Sequence, residues 1–234
     1  MQYQGIGSES HGEKMEVSIS DELRPIARVG VLRLQNIGEP AAEGDLFYQA
    51  MSAACQIIRE QNVGLASGQV PGVGEARRLY KSVGLDPTKT RPSSEALLRR
   101  VLKGQDLYRI FPLVDLFNVA SLSNLLPVGL YDESKIAGEV VTIQIGAPQW
   151  EFDGIRKSKV HVGGRLCVVD EVGPFGSPTS DSLRTAIEKE TSRALAIFFA
   201  PIDGELGRLQ RALDLSVILA ETHLAASIIG QFVL

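Results

Sequence analysis

Four short apolar runs crowd the second half of the chain: EVVTIQIG at 139–146, KVHVG at 159–163, RLCVVD at 165–170 and ALAIFFA at 194–200. Gly, Pro and Ser separate them, and such β-branched runs bounded by turn formers read as strands. Parallel neighbours need long crossovers, generally helical, and little helix-forming sequence lies between these runs. The pattern therefore favours an α+β class over a doubly wound parallel sheet. VSIS at 17–20 and ARVGVLRL at 27–34 add two more buried strands. Residues 41–61 bring Leu46, Met51, Ala54 and Ile58 near helical spacing and predict an amphipathic helix. GEARRLYKSVGL at 74–85 predicts a second helix, closed by Gly84. SSEALLRRVLKG at 93–104 predicts a third, capped by Ser93 or Ser94 and closed by Gly104. PLVDLFNVASLSN at 112–124 opens on a proline suited to a first turn. It lays Leu113, Leu116, Phe117 and Ala120 on one face and leaves Asp115 and Asn118 on the surface. Residues 206–231 contain no proline and predict one long closing helix.

A chain of 234 residues, 44% apolar and 22% charged, can bury a core without disulfides or metals. No apolar run reaches the roughly 18 residues of a membrane span, and the polar start MQYQGIGSESHGEKMEV lacks the pattern of a signal peptide. Cys55 and Cys167 stand far apart, neither a disulfide framework nor a metal-ligand pair. These features predict a cytoplasmic protein with reduced thiols. The formal charge of −4 argues against a basic nucleic-acid coat, yet it hides a local excess. Arg77, Arg78, Lys81, Lys89, Arg91, Arg99, Arg100, Lys103 and Arg109 are opposed only by Glu75, Asp86, Glu95 and Asp106. A phosphate backbone responds to such a local field more than to net charge. The plainer alternative is a pair of solvated helix faces.

Familiar catalytic signatures are missing. The chain has no G-x-S-x-G elbow, H-E-x-x-H helix or C-x-x-C pair. GSESHGEK at 7–14 carries Glu13 where a phosphate loop needs lysine, and GVGEAR at 72–77 lacks the third glycine of a dinucleotide fingerprint. His11, His161 and His223 are isolated from one another and from both cysteines. An enzyme built this way sets water against a bond that is already activated.

Residues 91–146 carry Val114-Asp115-Leu116-Phe117-Asn118, then Leu126-Pro127-Val128-Gly129-Leu130-Tyr131-Asp132, then Lys135-Ile136-x-Gly138. In that order and spacing the sequence resembles the B3/4 editing domain of the phenylalanyl-tRNA synthetase β subunit, in its freestanding form. Gly173-Pro174-Phe175-Gly176 and Ala194-Leu195-Ala196-Ile197-Phe198-Phe199 follow in the expected order. The resemblance implies a B3/4-type layered β-sandwich with packed helices, carrying an N-terminal α/β extension. It divides the chain into a flexible tail (1–14), an N-terminal α/β lobe (15–90) and an editing core (91–234). It implies a trans-acting aminoacyl-tRNA deacylase without a covalent nucleophile, with mischarged tRNA as partner and no cofactor or metal.

Within that family the tyrosine-clearing domain has a histidine where this chain has Gly129, and a glutamate near Ile197. Both polar partners for a tyrosine hydroxyl are missing, which disfavours tyrosine. Another freestanding branch removes canavanine from the arginine tRNA, and canavanyl-tRNA is the leading substrate expected here. The resemblance carries over Asn118 as a pocket residue and suggests the amides near Gly129 and Gly173 as ester-holding donors. A guanidinium-like side chain needs a carboxylate partner, for which Asp115, Asp132, Asp170, Glu171 and Asp181 are candidates. Arg77, Arg78, Lys81, Arg91, Arg99, Arg100 and Lys103 are the candidate tRNA contacts. A non-catalytic RNA-binding module on the same fold is the alternative.

Overall fold

The computed structural model describes residues 15–38, 44–156 and 159–234. The tail 1–14 lies outside the described residues. Two four-stranded sheets face each other. One runs β1 (Glu16–Ile19), β4 (Val140–Ile145), β7 (Leu166–Val169), β8 (Pro174–Gly176). The other runs β10 (Ser227–Val233), β2 (Ala27–Gln35), β9 (Ala194–Pro201), β3 (Val128–Asp132). A two-stranded ribbon joins β5 (Glu151–Phe152) to β6 (Val160–His161). Every named pair is antiparallel except β1 with β4.

The unbroken apolar run ALAIFFA explains the layering. A strand covered on both faces has no reason to alternate polar and apolar residues, and β9 is buried throughout. Leu195, Ile197 and Phe199 point into the core between the sheets, with Val29, Val31, Val141, Ile143, Tyr131 and Phe175. Ala194, Ala196, Phe198 and Ala200 face a second core, where α4 (Pro112–Asn124) and α5 (Leu206–Leu224) bring Leu116, Phe117, Leu209 and Leu213. A third cluster joins Met51 and Cys55 of α1 (Gly44–Gln61) to Leu98 and Val101 of α3 (Ser93–Leu102) and Val119 of α4. The helix α2 (Val73–Ser82) sends Leu79 and Tyr80 into the intersheet core. The expected α+β sandwich with packed helices is therefore present. Residues 15–90 are woven through it, since β1 pairs with β4 and β2 lies between β10 and β9.

Three local expectations are corrected. The closing helix stops at Leu224, where Ala225 adopts a left-handed φ of 48°. The following SIIGQFV forms β10 along β2, from Ser227 opposite Gln35 to Val233 opposite Gly30. Its apolar and aromatic residues suit a strand, and they pair an edge of β2 that would otherwise stand open. Helix α3 begins after Pro92, without a side-chain cap. Ser94 Oγ donates instead to Leu125 O at 3.2 Å and Ser93 Oγ to Pro178 O at 3.3 Å, tying the helix to its neighbours. Asp115, expected on the surface, is fully buried. No helix among the described residues is long and apolar enough to cross a membrane.

Candidate functional site

A cleft opens where α3, α4 and the free edge of β3 meet. Its outer chamber, about 530 Å³, is lined by Ser93, Ala96, Leu97 and Arg100 of α3. Those four recur at the i, i+3, i+4, i+7 spacing of one helix face. Asn118 and Ser121 of α4 and Val128 of β3 form another wall, and Tyr108 stands beside them. Lys89, Arg91, Arg100 and Arg156 all line this chamber, and among the described residues no carboxylate does. Ile110, Arg156 and Thr179 are shared with an inner chamber of about 420 Å³. Its walls are largely apolar, with Phe111, Val114, Leu130, Ile155, Val160 and Ile187 among them, and Asp181 is its one carboxylate.

Backbone pairing fixes Asp181 in place. Gly176 bridges to it, and Ile155 N–H donates to its carbonyl at 3.2 Å. Protein encloses the carboxyl, and the loss of hydration pushes its pKa up to about 7. The Leu130 N–H and the Tyr131 phenol pull in the other direction and leave it there. Beneath it lies the fully buried Tyr131, whose hydroxyl finds no partner of regular hydrogen-bond geometry. A Cβ at either Gly129 or Gly176 would collide with that hydroxyl, so both positions must be bare for the phenol to fit.

The ladder between β3 and β9 decides which amides reach the cleft. Phe199 N–H donates to Pro127 O at 2.9 Å, and Glu133 N–H to Arg193 O at 3.1 Å. Alternation in an antiparallel pair then directs the N–H of Gly129, opposite Ile197, toward β9. The outward amides of β3 belong to Val128, Leu130 and Asp132; the last donates to Thr185 O at 2.9 Å. Gly129 thus makes room for the Tyr131 phenol through its missing side chain, and Val128, with an outward N–H, is the strand residue that lines the outer chamber.

The other carboxylates lie elsewhere. Both oxygens of Asp115 accept the Ile110 N–H, at 2.9 and 3.0 Å, and Tyr48 Oη donates to it at 3.2 Å. Burial raises its pKa. It acts on the cleft by holding Ile110, the wall common to both chambers. Asp132 accepts from Ser134 N–H at 3.0 Å and Thr191 Oγ1 at 2.8 Å, and caps a short 3-10 turn. Asp170 forms a two-pronged ion pair with Arg184, at 2.8 and 3.0 Å, and accepts the amides of Ala137, Val172 and Gly173. Gly173 occupies that turn with φ 137°, and the exposed Glu171 flanks Gly138. Neither Gly173 nor Glu171 lines the cleft.

The basic residues divide in the same way. Arg91 and Arg100 line the outer chamber. Arg77 is spent on the buried Glu95, its Nε at 2.8 Å and Nη2 at 2.6 Å from the carboxylate. Arg78 pairs with Asp203 at 3.2 Å. Lys81, Arg99 and Lys103 are exposed and away from the cleft lining. Arg156 and Tyr108 were not singled out from the sequence. The run IRKSK at 155–159 was the available signal for Arg156.

No curated protein gives a significant match to the chain. Among solved structures, 96% of the chain aligns with 55% of an N-terminal fragment of the phenylalanyl-tRNA synthetase β subunit from Pyrococcus horikoshii, at 10% identity and a TM-score of 0.45. The chain thus spans little more than half of that fragment's length. The B3/4 domain matches residues 75–215, which include α3, α4, β3 and Asp181, and more than half of the sequence. On that match, the chain belongs to the B3/4 domain family.

Proposed function

We propose that this protein is a trans-acting deacylase that hydrolyses the ester of a mischarged tRNA, with its amino-acid side chain in the inner chamber and the RNA end in the outer one. The observation that carries this reading is the pairing of opposite chemistries across one cleft. Among the described residues four cations and no carboxylate line the outer chamber, and the largely apolar inner chamber holds a single carboxylate, Asp181, with Arg156 at the boundary between the two. Phosphates are attracted to the first, and a hydrogen-bond-donating cationic side chain is selected by the second. Canavanyl-tRNA for arginine is the leading substrate, with Asp181 as the side-chain reader.

The chemistry asks little of the protein. An aminoacyl ester is already reactive, and the neighbouring ribose hydroxyl assists attack by water. Orientation and donors for the developing oxyanion are what remain to be supplied. Val128 N–H and the half-buried Asn118 amide line the outer chamber beside the β3 edge and are the candidate donors.

The rival reading, an RNA-binding module without turnover, draws on a cleft lining in which, among the described residues, there is no histidine or cysteine. A panel of charged tRNAs separates the two. Canavanyl-, tyrosyl-, phenylalanyl- and arginyl-tRNA are incubated with the protein, and free amino acid is measured over time. Hydrolysis of canavanyl-tRNA that is lost in Asp181→Asn supports the deacylase. Binding across the panel with no release above the spontaneous rate supports the module.

A further inference from the structure

Tyr108 is a large aromatic, 47% exposed, on a segment that is otherwise tightly held. The preceding Leu107 is buried in the cluster between α1 and α3, and the Ile110 N–H is fixed by Asp115. The carboxylate of Asp106 is gripped by Ser52 and by Arg59, whose Nη1 lies 3.0 Å away. One face of the Tyr108 ring is covered by the Arg100 guanidinium, its Cζ 3.7 Å from the ring centroid. That guanidinium is itself immobilised, since Nε donates to Asp106 O and Nη1 to Gln105 Oε1 at 3.2 Å. Packing does not need an aromatic at this position. What results is a rigid ring, made electron-poor on one side by a cation, at the wall of a chamber that also holds Lys89, Arg91 and Arg156.

The geometry points to Tyr108, backed by Arg100, as the platform on which the terminal nucleobase of the bound RNA stacks. A polyanion with π-faces satisfies both features of this wall: its phosphates meet the surrounding cations, and its base lies on the ring. An acidic peptide would use the cations and leave the ring idle. This inference rests on the tRNA reading and names the group within it that meets the 3′-terminal base. Stacking tolerates any base, so the platform places the RNA end without reading its sequence. It thereby sets the distance from the terminal ribose to Asp181.

The test compares two RNA hairpins ending in CCA, one intact and one whose 3′-terminal nucleotide lacks its base. Binding is measured at one fixed salt concentration with the full chain, Tyr108→Ala and Tyr108→Phe. The unsubstituted protein is expected to favour the intact hairpin about tenfold. Tyr108→Ala should bind both hairpins equally, at the weaker level, and Tyr108→Phe should keep the preference. A preference that survives in Tyr108→Ala overturns the platform, as does equal binding of the two hairpins by the unsubstituted protein. In the second of those cases the tRNA reading still stands. Failure to bind either hairpin overturns both.

Discussion

Tyr131 and the two glycines around it show how single positions set the packing of the core behind the cleft. Its phenol fits only because Gly129 and Gly176 present no Cβ, and Ile197 lies opposite Gly129 across the strand pair. Gly129→Ala should therefore cost about 2 kcal/mol through forced repacking, read as a lower denaturant midpoint with an unchanged slope. Asp181 sits above this packing and carries a raised pKa of about 7. Between its ordinary 3.8 and that value the folded chain binds more proton than the unfolded chain. Stability therefore falls as pH rises through this window and is level above it. Asp181→Asn should abolish the slope, leaving stability nearly unchanged near pH 4 and raising it by on the order of 4 kcal/mol at pH 8. Thermal melts across that range check it; equal gains at both ends would contradict it. The sequence offered Asp181 as one of five candidate carboxylates and gave no reason to prefer it. Its role depends on walls contributed by Leu130, Ile155 and Ile187, which are brought together only by folding.

Helix α3 carries two duties on its two sides. Ser93, Ala96, Leu97 and Arg100 line the cleft, and Glu95 on another face is buried against Arg77, with Arg91 3.6 Å away. Two basic residues that look alike in the sequence thus do different work. Arg77→Ala leaves a buried carboxylate short of its main partner and should destabilise the fold by about 3 kcal/mol. Because its charge is already matched, the salt dependence of RNA binding should hardly change. Arg156→Ala should instead reduce the slope of log affinity against log salt by about 1, with little effect on the melt. Measuring both slopes and both melts on the same variants separates the roles; a reversed pattern would contradict them. The helix itself was legible from SSEALLRRVLKG, whose ending at Gly104 agrees with a φ of 82° there. Its division of labour was not legible, because a count of charges along the chain does not reveal which cation already has a buried partner. Arg156 is not legible for a related reason, lying far in sequence from the basic stretch it joins.

The whole molecule is a sandwich whose central strand, β9, serves two cores, with helices laid on the outer face of one sheet. This layering could be anticipated, since ALAIFFA has no polar face and must be covered on both sides. The terminal strand β10 could not, because SIIGQFV follows a helical pattern without a proline or glycine to mark the break. The left-handed Ala225 supplies that break, and the strand that follows pairs along the edge of β2. Between helices and sheets the fold leaves two adjoining chambers that share Ile110, Arg156 and Thr179, one rich in cations and one largely apolar around Asp181. That arrangement is what an esterified RNA end would require. Its most direct test is a crystal structure of the protein with a non-hydrolysable amide analogue of a 3′-canavanyl-adenosine. The expected result places the guanidinium group within hydrogen-bonding distance of Asp181 and the adenine against Tyr108. An analogue bound outside the cleft, or reversed within it so that the base fills the inner chamber, would contradict the proposed site.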